Sequence, residues 1–135
     1  MANSDFDWGR VPTGPDLPVT NTGDVDMVAR QIVVLDTAQT APGTHAVKLP
    51  TADGGGIAIL VEDIPRGRTG RAQIYGIAVG IADGAVGRGA RVRGSNTRPG
   101  GAKACTPGQA QFGYALQAAA DGEPVQILID RANNA

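Results

Sequence analysis

Apolar residues after position 30 occur in short runs that glycine, proline and aspartate interrupt. Residues 31–36 form a β-branched run, and residues 57–61 form an apolar run short enough to be a buried strand. Runs of this length separated by turn residues are typical of a sandwich or barrel. The pattern predicts an all-β fold, a small β-barrel or β-sandwich of short antiparallel strands. The predicted strands are 31–36, 44–49, 57–61, 72–79, 90–93, 102–105, 111–116 and 125–129.

The best candidate for a helix is the alanine-rich segment 109–120. Gly113 lies inside it, and the aromatic residues Phe112 and Tyr114 flank that glycine. Glycine lowers helix propensity, and aromatic residues favour strands. We therefore expect at most a short turn of helix anywhere in the chain.

Two segments of the second half resemble each other. Residues 75–79 and residues 112–116 both read aromatic, glycine, apolar, alanine, aliphatic, and they lead to Asp83-Gly84 and Asp121-Gly122. Asp-Gly is a strong turn dipeptide, and a glycine inside a strand marks a close neighbour or a bulge. The repeat predicts two similar strand-turn-strand units.

Residues 1–30 show neither helical nor strand periodicity. Pro12, Pro15 and Pro18 recur every three residues, and each removes a backbone donor and fixes φ. The pattern predicts an extended or polyproline-like N-terminal arm over residues 1–30, followed by a single β domain over residues 31–135.

The predicted arm contains Phe6 and Trp8, two of the few aromatic residues of the chain. They could pack on their own domain or anchor the arm in a pocket of a neighbouring protein. Tryptophan is enriched among the residues that dominate interface energetics. Phe6 and Trp8 are therefore candidate interface residues.

Charge is unevenly distributed although the formal net charge is only -1. Residues 1–63 are mainly acidic, whereas residues 64–103 contain eight basic residues and a single acidic one, Asp83. Such polarity favours association through oppositely charged faces. Arg66, Arg68 and Arg71 are the basic candidates for a protein interface.

Residue types for catalysis or metal binding are scarce. The chain has one histidine, His45, and one cysteine, Cys105. The strand pattern predicts an exposed His45, without a second histidine to share a metal, and a Cys105 that packs as a small buried hydrophobe. The glycine-rich segments 67–71 and 84–89 lack the Gly-Lys-Ser/Thr ending of a phosphate loop and are predicted as turns. We expect no enzyme activity, no metal and no cofactor.

No apolar run approaches the length of about 18 residues of a membrane span, so no membrane partner is expected. The N-terminus lacks the layout of a signal peptide, which predicts synthesis in a cytoplasm. The basic residues of 64–103 could follow a nucleic-acid backbone. Only Tyr75 lies among them as a stacking aromatic, so nucleic acid is not expected as a partner.

A resemblance to a known family rests on two segments. Residues 84–92 read G-x-V-x-x-G-x-x-V, and residues 113–127 read G-x-A-L-x-A-A-x-x-G-E-x-V-x-I. This pattern, over residues 57–131, resembles the capsid decoration (cement) proteins of tailed bacteriophages. The resemblance implies a small β-barrel or sandwich on the outer surface of the virion, made in the host cytoplasm. It also implies the major capsid protein as partner, self-association as a homotrimer or a dimer, and clamping of neighbouring capsid subunits.

A non-catalytic ligand-binding or nucleic-acid-binding β-barrel module is the alternative from a different class. Such modules display aromatic residues on a binding face. Tyr75, Phe112 and Tyr114 are few and lie among apolar strand residues. The decoration hypothesis is therefore preferred to this alternative.

Overall fold

The computed structural model describes residues 16–39, 45–106 and 108–133. Within these ranges the chain forms strands, turns and loops but no helix. The strands are β1 (Asp16–Asn21), β2 (Ile32–Leu35), β3 (Ala46–Lys48), β4 (Ala58–Leu60), β5 (Thr69–Gln73), β6 (Gly76–Ile81), β7 (Arg91–Gly94), β8 (Ala102–Ala104), β9 (Ala110–Ala115) and β10 (Pro124–Asn133). The predicted all-β class is confirmed.

The first five strands close into a barrel. Their order is β1-β3-β2-β4-β5, and β1 completes the ring by antiparallel pairing with β5, with Leu17 opposite Ala72. β1 also pairs in parallel with β3 through Thr20 and Ala46. The buried core of this barrel is aliphatic, as the scarcity of aromatic residues requires. It consists of Val19, Met27, Val33, Val47, Ala58, Leu60, Ile64 and Ala72.

The last five strands form a sheet that repeats the arrangement of the barrel. Their order, β6-β10-β9-β7-β8, matches the ring order of β1 to β5 strand for strand, and its neighbouring strands are antiparallel. The sheet is open between β6 and β8, which are linked at one point by a parallel bridge between Ala82 and Ala102. That bridge corresponds to the parallel pairing of β1 with β3. The chain is therefore a tandem repeat of one five-stranded unit.

Each unit contains a backbone bridge between the loop after its first strand and the loop after its fourth strand. In the barrel, Met27 and Ile64 exchange two N–H to C=O hydrogen bonds of 3.0 and 2.9 Å. In the sheet, Val86 and Ala119 exchange two of 2.9 Å. All four side chains are buried. Each bridge residue and the four residues after it are called a bridge motif below, and the four motifs are numbered in chain order.

Every bridge motif turns sharply at the third residue after the bridge. That residue has a positive φ in all four motifs: Arg30 (76°), Gly67 (74°), Gly89 (82°) and Gly122 (82°). Glycine adopts this conformation without the steric cost of a Cβ. Among the described residues, Arg30 alone adopts a positive φ without being a glycine.

The repeat predicted between residues 75–79 and residues 112–116 corresponds to β6 and β9, each followed by a bridge motif and a further strand. The predicted match between the turns was wrong. The turn equivalent to Asp121-Gly122 is Arg88-Gly89, because it follows Val86 at the spacing at which Asp121-Gly122 follows Ala119. Asp83-Gly84 lies ahead of the bridge.

The barrel packs against the sheet on the side where the sheet is open between β6 and β8. Successive side chains of a strand point to opposite faces, and Ile32 of β2 and Ile59 of β4 belong to the core of the sheet while their sequence neighbours fill the barrel. A Cβ placed on Gly80 of β6 would lie 3.3 Å from Ile59 Cδ1 and 2.9 Å from Ile127 Cδ1. Consecutive apolar residues occur at 32–33 and 58–60 because the first half of β2 and the whole of β4 are buried on both faces.

The predicted strand 72–79 is two strands, one in each unit. Ile74 and Tyr75 connect them, and the side-chain amide of Gln73 donates to the carbonyls of Tyr75 and Ile77 at 2.9 and 2.7 Å. Arg131 Nη1 donates to the carbonyl of Ile74 at 2.7 Å. These bonds satisfy backbone groups that the break in pairing would leave without partners.

Glycine positions match the predicted close packing in one of the two segments. A Cβ on Gly113 would collide with the carbonyl oxygen of Leu128 and lie 2.8 Å from Ile127 Cγ2. Gly76 instead has a φ of 88° at the first residue of β6. Gly113 is needed because the neighbouring strand packs against it closely, and Gly76 is needed because its φ is positive.

Residues 16–30 were predicted to belong to an extended arm outside the β domain, but they are part of the barrel. β1 pairs with β5 over its first five residues, and Met27 is buried in the barrel core. Pro18 is accommodated because β3 pairs only with Thr20 and Asn21, so this part of β1 has a neighbour on one side alone. The rest of the predicted arm, residues 1–15, lies outside the described residues.

Candidate protein-interaction surface

Arg71 lies on β5 between two carboxylates. Its Nη1 is 3.4 Å from Asp16 Oδ2 and its Nε is 3.5 Å from Glu62 Oε2, and Glu62 also accepts the Arg71 N–H at 2.7 Å. The Arg71 side chain is 62% exposed. Exposed pairs contribute little stability, so this side chain can exchange its partners. Of the three predicted interface arginines, Arg71 is the one whose charge is balanced within the chain.

Arg66 and Arg68 flank the turn glycine of the second bridge motif, Gly67. Both are exposed, and neither guanidinium has a hydrogen bond or ion pair with any described residue. The Arg66 backbone N–H donates to Asp26 Oδ1 at 2.9 Å, which fixes the turn. The structure thus brings two free cations to one turn and places Arg71 on the strand that follows.

Asp53 neutralises two further cations of the basic segment. Its Oδ2 lies 3.2 Å from Arg93 Nη2 and 3.0 Å from Lys103 Nζ, and its Oδ1 accepts the Asn96 N–H at 3.0 Å. The Asn96 N–H and then the Lys103 ammonium hold the pKa of Asp53 below its usual range. The sequence gives no sign that Asp53 gathers partners from β7, β8 and the loop between them.

Arg98 pairs with Asp121 across the two loops of the sheet at 3.2 Å. The Gly84 N–H, at 2.8 Å, and then Arg98 lower the pKa of Asp121. Half of the eight basic residues in 64–103 are therefore paired within the chain. Those without an ion pair among the described residues are Arg66, Arg68, Arg88 and Arg91.

A partly exposed row crosses one face of the sheet. Ile77, Leu128, Tyr114 and Arg91 are successive cross-strand partners on β6, β10, β9 and β7, so they share a face. Leu128 is 41% exposed. The row combines apolar area with an unpaired guanidinium, a composition found in protein interfaces.

The other aromatic residues of the second half differ in exposure. Phe112 is fully buried in the core of the sheet, whereas Tyr75, in the connection between the units, is 54% exposed. Tyr75 was predicted to be embedded among apolar strand residues, and that prediction is wrong because it lies between two strands rather than inside one.

The same carboxylate–hydroxyl contact recurs in both units with the roles exchanged. Thr22 Oγ1 donates to Asp36 Oδ2 at 2.6 Å in the barrel, and Ser95 Oγ donates to Asp83 Oδ2 in the sheet. The Thr22 hydroxyl is the main cause of a lowered pKa at Asp36. Each pair joins the first or second residue after the first strand of its unit, Thr22 or Asp83, to the residue directly after the second strand, Asp36 or Ser95. The serine and the acids are thereby assigned a structural role.

His45 and Cys105 are arranged as structural residues. His45 is exposed, as predicted, and its Nδ1 hydrogen-bonds the Pro18 carbonyl at 2.8 Å. Cys105 is half-buried rather than buried, and its thiol lies 3.6 Å from the Ala110 carbonyl. Burial raises the pKa of the Cys105 thiol, which disfavours the nucleophilic thiolate.

Two open grooves flank the segment 21–23. One, of about 440 Å³, reaches Arg66 and Gly67, and the other, of about 370 Å³, extends to Asp36 and Pro99. The buried amide of Asn21 donates to backbone carbonyls on the floor of the grooves. The Asn21 amide is thus satisfied by the protein itself, whereas the Asp24 carboxylate and the Arg66 guanidinium beside the grooves have no partner among the described residues.

The described ranges have neither a cluster of metal-ligating side chains nor a membrane-spanning helix. They contain no group of three or more histidine, cysteine or acidic side chains placed to hold a metal ion. No helix among these residues has the length and apolarity needed to cross a bilayer. The candidate interface residues Phe6 and Trp8 lie outside the described residues.

The fold defines a class of all-β protein built from two consecutive five-stranded units. In comparison with solved structures, the chain is similar to the crystal structure of the head fiber gp8.5 N base in bacteriophage phi29. The TM-score is 0.67 at 17% sequence identity, over 88% of this chain and 96% of that chain. No family model matches the sequence, and no curated protein matches it. The likeness shows a shared fold.

Proposed function

We propose that this protein is a non-enzymatic structural component of a bacteriophage head. The observation that carries the proposal is the fold shared with a head fiber base over nearly the whole of both chains. The sequence pattern of residues 84–92 and 113–127 independently resembles phage decoration proteins. Two separate lines of reasoning, one from the sequence and one from the fold, thus support a place on the phage head.

The finer proposal is a capsid decoration (cement) protein on the outer surface of the assembled head. It binds the major capsid protein and stabilises contacts between neighbouring capsid subunits, and it does so as a homotrimer made in the host cytoplasm. The free arginines Arg66 and Arg68 and the row across the sheet at Leu128 and Tyr114 supply charged and apolar contact area. Phe6 and Trp8 supply aromatic anchors at the N-terminus.

Co-sedimentation with purified heads that lack the protein tests the proposal. The matched variant is truncated before Asp16, because deletion to residue 30 would remove β1 and the buried Met27. We expect full-length protein to sediment with heads and the truncated protein to bind at least tenfold more weakly. Full-length protein that stays in the supernatant at micromolar concentration would overturn a head-surface role.

A base for a head fiber is the second candidate, favoured by the nature of the structural neighbour. Thermal release of DNA from heads separates the two roles. Cement function predicts that saturation with the protein raises the release temperature, whereas a fiber base binds without changing it. Light scattering of the free protein tests the trimer.

Binding to nucleic acid is the alternative outcome. Arg66, Arg68, Arg88 and Arg91 are free to contact phosphates, but Tyr75 and Tyr114 are the aromatic residues with exposed area in the described second half. Salt-sensitive binding to single-stranded DNA, stronger than binding to heads, would favour that alternative.

A further inference from the structure

The four bridge motifs differ in how they satisfy the two backbone N–H groups that follow the bridge residue. In the first motif both are capped by side chains. The Val28 N–H donates to Gln31 Oε1 and the Ala29 N–H donates to Asp63 Oδ1, both at 2.8 Å. The acceptors lie at fixed places: Gln31 is the fifth residue of its own motif, and Asp63 precedes the bridge residue of the partner motif.

The second motif follows the same rule. Its first position is Pro65, which has no N–H to satisfy. Its second position, Arg66, donates to Asp26 Oδ1 at 2.9 Å, and Asp26 precedes the bridge residue Met27. The two motifs of the barrel thus cap each other symmetrically.

The third motif lacks both acceptors. Ala90 occupies the place of Gln31, and Ala118 occupies the place of Asp63. The Gly87 and Arg88 N–H groups accordingly have no hydrogen-bond acceptor in the described part of the chain. Two successive backbone donors are left open at one turn.

The surroundings of this turn favour an anion. Arg88 is exposed and its guanidinium has no ion pair among the described residues. A Cβ added at Gly87 or at Gly89 would meet no atom within 4 Å, so the space beside the turn is open. Backbone N–H groups without an acceptor attract an anion, and an adjacent arginine strengthens that attraction through charge-assisted hydrogen bonds.

The fourth motif, in the same sheet, can be compared with the third. The Ala120 N–H is capped by Glu123 Oε1 at 2.8 Å. The Asp121 N–H has no acceptor in the described ranges, but the carboxylates of Asp121 and Glu123 lie on the same turn and repel an incoming anion. Of the four turns, only the third combines open donors with a free cation.

We propose that the Gly87–Gly89 turn is a docking site for a carboxylate side chain of a partner protein. The partner supplies in trans the acceptor that Asp63 supplies within the barrel. The identity of that partner as a head protein rests on the proposed function, whereas the carboxylate site itself does not.

Amide NMR of the isolated, isotope-labelled protein tests the site. The probe is sodium acetate, with sodium chloride at equal ionic strength as the reference. We expect the Gly87 and Arg88 amide signals to shift at least threefold more than that of Gly122, whose N–H is bonded to the Ala82 carbonyl at 2.9 Å. The variant A118D restores the carboxylate that caps the second N–H of the motif, as Asp63 caps Ala29, and should abolish the Arg88 shift.

Equal shifts at Gly87, Arg88 and Gly122 would overturn the proposal, whatever the result with heads. A single-stranded oligonucleotide that shifts Gly87 and Arg88 at a lower concentration than an acidic peptide would overturn it in favour of a phosphate ligand. Both outcomes are read on the free protein, so they are separate from failure of the proposed function.

Binding to heads then tests the partner. A118D should weaken co-sedimentation at least tenfold, because its own carboxylate occupies the site. The matched control A120D adds the same charge two residues away, where it does not take the place of Asp63. An equal loss of binding to heads in A118D and A120D would show a general charge effect and would overturn docking at this turn.

Discussion

Asp26 and Asp63 cap each other's turns across the bridge of the barrel: Asp26 accepts the Arg66 N–H and Asp63 accepts the Ala29 N–H. We expect D63A to lower the free energy of unfolding by about 1 kcal/mol, because the Ala29 donor loses a charged acceptor. Urea denaturation measures the change. D24A is the control, since Asp24 is exposed in the loop that contains Asp26 and Ala29 and its carboxylate has no partner among the described residues. An equal loss of unfolding free energy in D24A and D63A would contradict the capping role of Asp63.

Ile59 joins the two units and should be a major contributor to stability. I59A should lower the free energy of unfolding by about 2–5 kcal/mol, because it opens a cavity between Gly80 and the core of the sheet. V61A, at a position that is 38% exposed, should change it by less than about 0.5 kcal/mol. Calorimetry should show one cooperative transition for both. A loss below 1 kcal/mol in I59A would show that the units are only loosely packed.

Arg30 occupies a backbone conformation that the other three motifs assign to glycine. R30G should raise the free energy of unfolding by about 1 kcal/mol, because removal of the Cβ strain exceeds the entropy that glycine adds to the unfolded chain. The reverse change, G67A, should lower it by about 1 kcal/mol, since Gly67 has open space but a φ of 74°. Thermal melts of both variants provide the measurement, and a destabilised R30G would refute the strain.

Acid should destabilise the protein through Asp53. Its pKa is lowered in the folded state, so its contribution is complete above the unfolded pKa of about 3.9 and is lost as pH falls through the folded pKa. The melting temperature should therefore fall steeply below about pH 4. D53N should be less stable at pH 7 and show a shallower acid decline. D130N, which alters an exposed carboxylate without a partner in the described ranges, should keep the wild-type profile.

Trp8 should serve attachment rather than folding. W8A is expected to weaken binding to heads while leaving the melting temperature within about 1 °C of wild type, as for a surface substitution. Co-sedimentation and calorimetry on the same preparation compare the two effects. If W8A lowers the melting temperature and leaves attachment to heads unchanged, Trp8 packs against its own domain.

Most strands after residue 30 could be predicted because their apolar runs are short and end at glycine, proline or aspartate. β1 was missed, because Pro18 and flanking prolines are typical of irregular chain, and only a neighbour on one side makes Pro18 acceptable. The break at Ile74 and Tyr75 was also missed. It depends on hydrogen bonds from Gln73 and Arg131, and the latter is remote in sequence.

The candidate surface was predictable only as a set of residue types. Charge density singled out Arg66, Arg68 and Arg71, but it could not show that Asp16, remote in sequence, pairs with Arg71. The open turn at Arg88 was missed for another reason. Its significance appears only when the turn is compared with its three counterparts, whose sequences share little beyond the place of the turn residue.

The two units share one topology, but only the first can complete its fold without the other. The barrel closes upon itself, whereas the sheet is completed by Ile32 and Ile59 of the barrel. During synthesis the N-terminal unit can therefore reach its final structure before the second unit has left the ribosome, and it then acts as a template on which the second unit condenses. Such an order of events shields the open edge of the sheet from other newly made copies, with which an unpaired strand edge could aggregate.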